Sequence, residues 1–182
     1  MNKTYNEKGY LKLSEHFDLS EFRCKCGNEH PTIVNTELFE KLEVLFKKLD
    51  CSIIIVNSGY RCANHDITVG GNGSGMHTKG MAADIVCYNK QGTIIPAGEV
   101  CCAAQDIGFG GIANIDRTYT AVHVDVRSGS KWYGDEAVPG GTSSSVCDDF
   151  YDYFPDVKRK GEVKTGTVEI DGIKYKLTLE KL

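Results

Sequence analysis

Three side chains with an affinity for divalent metals stand well apart in this chain. His77 lies in the glycine-rich stretch RCANHDITVGGNGSGMHTKG, Asp84 in the apolar run GMAADIVCY that follows it, and His123 in YTAVHVDVR. Two imidazoles and one carboxylate leave a fourth position open on a tetrahedral zinc ion, and water bound there has its pKa lowered to about 7. The chemistry that such a set can do is metal-assisted hydrolysis. Spacing by itself leaves other readings open, because a loop histidine is often merely solvated and a strand aspartate often pairs with an arginine. Strand alternation adds weight at His123. Tyr119, Ala121, His123, Asp125 and Arg127 fall on one face, and Thr120, Val122, Val124 and Val126 on the other. One face then reads as core and the other as a polar wall. By the same alternation Ala82, Asp84 and Val86 share a face, which gives Asp84 small neighbours.

A second group of ligand types is Cys24, Cys26 and His30 in CKCGNEH. It offers only three ligands to a structural metal, and its cysteine pair is closer than the usual zinc spacing. The remaining cysteines are Cys51, Cys62, Cys87, Cys101, Cys102 and Cys147. With no exporting segment to justify a disulfide framework, reduced thiols are expected, and Cys51, Cys87, Cys101 and Cys102 sit in apolar surroundings as small hydrophobes. No CxxC pair is present, which argues against a redox or metal-storage protein.

The elements that must position these groups are legible in outline. Residues 13 to 24 read as an entry segment with a short helical turn, capped by Asp18 or Ser20 with Glu21 in its first turn. A helix capped by Asn35 or Thr36 runs to about Leu49, with Leu38, Leu42, Leu45, Phe46 and Leu49 on its apolar stripe. SIIIVNSGY reads as a short, β-branched, buried strand. The long stretch from Arg61 to Lys79 is expected to be an aperiodic loop, and long ordered loops tend to carry function. A strand over Gly80 to Tyr88, a turn at Asn89 to Gly92 and a helix from Pro96 to about Ile107 follow. GFGGIANI and YTAVHVDVR are expected to form a hairpin joined around Asp116 and Arg117. The tail from Ser128 begins as a loop. Gly140 to Ser145 reads as a linker, and GTVEIDGIKYKLTLEKL as a closing hairpin turned at Asp171 and Gly172.

With 182 residues, 41% of them apolar, and a formal charge of -4, the chain can bury one ordinary core. That balance disfavours disorder and offers no basic surface for nucleic acid. No run is long and apolar enough to span a bilayer, and the opening MNKTYNEKGYLKLSEHF is too polar for a secretory signal. Synthesis in the cytoplasm without a signal peptide is the expectation.

GMHTKGMAAD resembles the first signature of the zinc D-Ala-D-Ala carboxypeptidase family of murein peptidases, in which Ser, His, Gly, Ala and Asp recur in that order and the His and Asp bind zinc. His77, Gly80, Ala82 and Asp84 match, while Gly75 stands where the family has Ser. VHVDVR resembles the second signature, which makes His123 the third ligand. SGYRCANHD resembles the upstream segment whose arginine contacts substrate, a role that maps to Arg61, and FDLSEFRCKCG resembles the start of the domain. The likeness runs from about Leu13 to Trp132. It implies the α+β fold shared with the hedgehog signalling domain: a small antiparallel sheet with flanking helices over residues 10–137. Residues 138–182 would then be a linker and a short C-terminal β-hairpin appendage.

The implied activity is hydrolysis of peptidoglycan peptide bonds next to D-amino acids, as carboxypeptidase or endopeptidase, by a monomer carrying one catalytic zinc ion. The stem peptide is the expected partner, and a phage or prophage lysin acting on the cell wall, or a piece of a larger exported assembly, would reconcile this with the missing export signal. The general base is where the pattern departs. Many relatives carry Glu or Asp three residues before the last zinc-binding His, where this chain has Thr120, and others carry His where it has Ala121. Asp125, on the same strand face as His123, is nominated as base or as the group orienting a zinc ligand, the plain alternative being a partner for Arg127, with Asp116 in reserve. Arg61, Tyr119 and Trp132 are the expected substrate contacts. The alternative is a catalytically silent zinc fold that serves as a cell-wall or protein binding module.

Overall fold

The computed structural model describes residues 1–6, 9–138, 145–159, 164–170 and 173–179. Its centre is a five-stranded sheet of order β3-β4-β6-β5-β7, formed by β3 (Cys51–Ser58), β4 (Ala82–Asn89), β5 (Gly111–Asn114), β6 (Val122–Asp125) and β7 (Trp132–Asp135). Helices α1 (Thr36–Lys48) and α3 (Ala97–Ile107) pack on one face of it. The expected α+β class holds.

Local signals explain most of these elements. Asp18 caps a short 3-10 turn, Leu19–Phe22, and Glu21 reaches back to the Asp18 backbone N–H at 2.8 Å, so two otherwise orphaned donors are satisfied. Asn35 caps α1 by accepting from the Glu37 N–H, and Leu38, Phe39, Leu42 and Leu45 bury the stripe. Each such side chain contributes about 1.5–3 kcal/mol by leaving water. Pro96 stands just outside α3 at the N-cap, one residue earlier than expected. The apolar face of the sheet is supplied by alternate residues: Ala83, Ile85 and Cys87 from β4, and Val122 and Val124 from β6, all nearly inaccessible. The opposite face carries Asp84, His123 and Asp125.

Four expectations are corrected. β3, read as a buried strand, lies at an edge of the sheet with Ile53 and Ile55 exposed. Residues 61–79 are not wholly irregular, since α2 (Ala63–Thr68) lies within them; a six-residue helix is too short for its periodicity to stand out. The segment after Ser128 contains β7, which lies parallel to β5 (Gly111↔Trp132 to Asn114↔Asp135), so the sheet is mixed and not antiparallel throughout. A two-stranded ribbon of β1 (Asn2–Tyr5) and β2 (Thr32–Asn35) also went unread. Polar strands such as NKTY have no apolar alternation to betray them.

A short helix, α4 (Phe150–Tyr153), packs against α3, and Phe150 is wholly buried with its ring 4.8 Å from that of Tyr133. This aromatic patch therefore belongs to the core although it follows the expected boundary at 137/138. The expected linker falls almost entirely outside the described residues. β8 (Lys164–Ile170) and β9 (Ile173–Leu179) pair antiparallel as the expected hairpin, while Asp171 and Gly172 lie outside the described residues. No helix among the described residues is long and apolar enough to cross a membrane.

Candidate metal centre

Strand register does the first part of the assembly. Asp84 of β4 and His123 of β6 are direct cross-strand partners, which sets their side chains next to one another on the polar face. His77 arrives from the loop before β4. Its carbonyl accepts from the N–H groups of Arg61 (3.3 Å) and Gly80 (3.0 Å), and this small knot turns the chain into the strand. Gly80 makes the turn with φ +67°, and a Cβ there would lie 2.2 Å from the Ile33 carbonyl oxygen, so the position requires glycine.

The three donor atoms form a nearly equilateral triangle. His77 Nε2 lies 3.2 Å from Asp84 Oδ1, His123 Nδ1 lies 3.0 Å from the same oxygen, and the two ring nitrogens are 3.2 Å apart. Donors about 2.05 Å from one tetrahedral ion are separated by about 3.3 Å, so a zinc ion fits with the side chains almost where they stand. Both imidazoles are set in the tautomer a metal needs. His77 Nδ1 donates to the Gly59 carbonyl at 2.7 Å, leaving the Nε2 lone pair aimed inward. His123 presents Nε2 to Asp125 Oδ2 at 3.2 Å, leaving Nδ1 inward. His77, Asp84 and His123 therefore converge as one group.

Asp125 sits behind this triangle. Its carboxylate is wholly inaccessible and receives Arg127 through Nε at 2.9 Å, Nη2 at 2.5 Å and the backbone N–H at 2.9 Å. Room for it exists because Gly111 lies opposite: a Cβ there would stand 2.1 Å from Asp125 Oδ2. Against its burial, the bonds from His123 and Arg127 hold the Asp125 carboxyl well below the usual range. Asp84 is likewise held far down, since bonds and charge from His123 and His77 outweigh burial. In the metal-free chain burial pushes His123 down, but Asp125 and Asp84 prevail and raise it to about 9.

Arg61 closes one side of the centre. Nε donates to Ser58 Oγ at 2.8 Å, Nη1 to Asp66 at 3.3 Å and Nη2 to Asp84 Oδ2 at 2.5 Å. Of the five N–H groups of a guanidinium, these three bonds leave one on each terminal nitrogen. Trp132 joins from β7, its ring centroid 6.0 Å from that of His123 and 5.1 Å from the Arg127 guanidinium.

Two expected residues do not join. Tyr119 turns away with φ 55°, its hydroxyl on Asp135 at 3.0 Å and its ring against Phe154. Asp116 closes the β5–β6 turn, accepting from the Thr118 and Thr120 hydroxyls and from the Thr120 and Ala121 N–H groups; these bonds, against a burial penalty, draw it down to about 2. Thr120 is thus a partner of Asp116 and faces no metal ligand. The sequence reading missed Glu136, at the rim directly after β7. The residue is exposed, yet partial desolvation of its carboxyl and the charge of Asp84 raise its pKa, while His123 and Arg61 oppose the rise. No hydrogen bond ties that carboxylate among the described residues. The acid directly after WYGD was visible in the chain, but nothing local announced that β7 pairs with β5 and so brings it to the rim.

Comparison with known proteins agrees with this geometry. A family model described as Peptidase M15 matches residues 15–125, which include all three converging ligands. No curated protein matches the chain.

Proposed function

The chain belongs to the Peptidase M15 family of zinc metallopeptidases, and from that premise we propose that it hydrolyses peptidoglycan peptide bonds next to D-amino acids. The observation that carries the proposal is the triangle of His77, Asp84 and His123 with both imidazole lone pairs fixed inward. These three residues would hold zinc, and the ion when bound supplies Lewis-acid polarisation of a water and of the scissile carbonyl.

The chain's own groups do the rest. Gly59 and Asp125 keep the two imidazoles oriented, so the ligands need little rearrangement. Arg61 holds Asp84 and offers its two remaining N–H groups to a peptide carboxylate, a task suited to its planar fork. Glu136, an exposed carboxylate at the rim that feels the charges of Asp84, His123 and Arg61, is the group assigned to take the proton from water and return it to the leaving amine. Trp132 walls the cleft beside His123. Glu136 supplies an acid that position 120 does not, which favours an enzyme over a silent binding module.

Digestion of purified cell wall, followed by mass analysis of the released muropeptides, tests this reading. The zinc-loaded chain should release peptide fragments whose new ends adjoin a D-residue, and chelator or His123→Ala should abolish release. A zinc-loaded chain that releases nothing from several wall chemotypes would sink the enzymatic reading.

A further inference from the structure

Outside the catalytic centre, the fold completes the cluster that the sequence left one ligand short. Cys24, Cys26 and His30 are joined by Cys62, and one ligand atom from each lies within 4.8 Å of all the others. The approach is built by the backbone. The Tyr60 N–H donates to the Phe22 carbonyl at 2.8 Å, docking the entry segment against the end of β3 and setting Cys24 beside Cys62. Across that junction the Cys62 N–H points at Cys24 Sγ at 3.3 Å. All four residues are half-buried, and no disulfide joins any of the cysteines.

Three details fit ligation. His30 Nδ1 lies 3.3 Å from the Pro31 carbonyl; donation there leaves the Nε2 lone pair facing Cys26 Sγ, 3.1 Å away. Amide N–H groups of Asn28 and Cys62 donate to Cys26 and Cys24 sulfur, an arrangement that stabilises thiolate charge. Cys62 stands at the N-cap of α2 yet caps nothing with its side chain, so its sulfur is available. Donors on a tetrahedral zinc ion with sulfur and nitrogen ligands are separated by about 3.5–3.8 Å, which this cluster reaches by small rotamer adjustments.

We propose that Cys24, Cys26, His30 and Cys62 bind a second zinc ion with a structural role. Four protein ligands close the coordination shell, so the ion has no position for substrate. Its effect is mechanical: it cross-links residues 24–30 to the residue directly after Arg61, and so holds the guanidinium against Asp84. The proposal stands independently of the peptidase reading, because none of its ligands touches the catalytic triangle.

The test is metal content and cobalt spectroscopy on the full chain, purified under reducing conditions. Wild type should carry a second zinc ion per chain in addition to the first. A His77→Ala/His123→Ala variant should lose activity and one ion yet keep the other, and its cobalt form should show intense thiolate-to-cobalt charge-transfer absorption. Cys26→Ser/Cys62→Ser should lose that absorption and one ion while retaining metal at the catalytic centre. If the cysteine variant fails to fold, wild type and the histidine variant still decide the matter. A single ion in wild type that vanishes with the histidines, or a cobalt form of the histidine variant without thiolate absorption, overturns the proposal. A disulfide among these cysteines, seen as a deficit in titratable thiols, does the same.

Discussion

Replacing Asp125 by asparagine separates the two roles open to that residue. The substitution keeps the shape, removes the charge, and puts an amide NH2 where one carboxylate oxygen now faces either Arg127 or His123. Breaking a buried ion pair costs about 3–5 kcal/mol. Here the Arg127 side chain is 23% exposed and water recovers part of that, so a loss of about 2–3 kcal/mol is expected. For a domain of this size that lowers the melting temperature by about 5–10 °C, which leaves the chain folded at room temperature. The functional effect runs through His123, whose Nε2 loses its anionic partner; such outer partners are worth about 10–100-fold in metal affinity. Zinc affinity is best read by competition with a chromogenic chelator at pH about 9.5. Below that a proton on His123, held to about 9 in the metal-free chain, competes with the metal, and the variant would be relieved of that competition. Zinc binding within about twofold of wild type, together with a kcat loss above about 10³-fold, would refute the orienting role and make Asp125 the general base.

Glu136→Gln should lower kcat by about 10²–10⁴-fold with zinc content unchanged, and should remove the acidic limb of the kcat/KM profile, which lies above the ordinary glutamate range because partial desolvation and Asp84 raise its pKa. An unchanged profile would remove Glu136 from the mechanism. Gly80→Ala puts a Cβ 2.2 Å from the Ile33 carbonyl in a left-handed backbone, so denaturant melts should show a loss of about 1–3 kcal/mol. Asp116 titrates lower folded, at about 2, than unfolded, at about 3.9. Its contribution is therefore present above pH about 4 and lost as pH falls through about 2, and Asp116→Asn should flatten the acid limb of thermal stability in that window.

Much of this protein can be read without coordinates. His77, Asp84 and His123 are recoverable from signature strings, and alternation along β6 places Val122 and Val124 inward and His123 and Asp125 outward. Helices α1 and α3 announce themselves by period and caps, because those signals act between residues three or four apart. What tertiary structure decided are the contacts made across long separations. β7 runs parallel to β5 and sets Glu136 at the rim; Tyr119, read as a substrate contact, is turned away by a positive φ. Asp125, whose pairing with Arg127 the strand face already allowed, is buried behind a ligand and backed by Gly111. Cys62 completes a cluster whose other members lie more than thirty residues earlier. Local periodicity encodes which face of an element is apolar; which element lies across from it depends on strand register and crossover, and those are set only when the whole core packs.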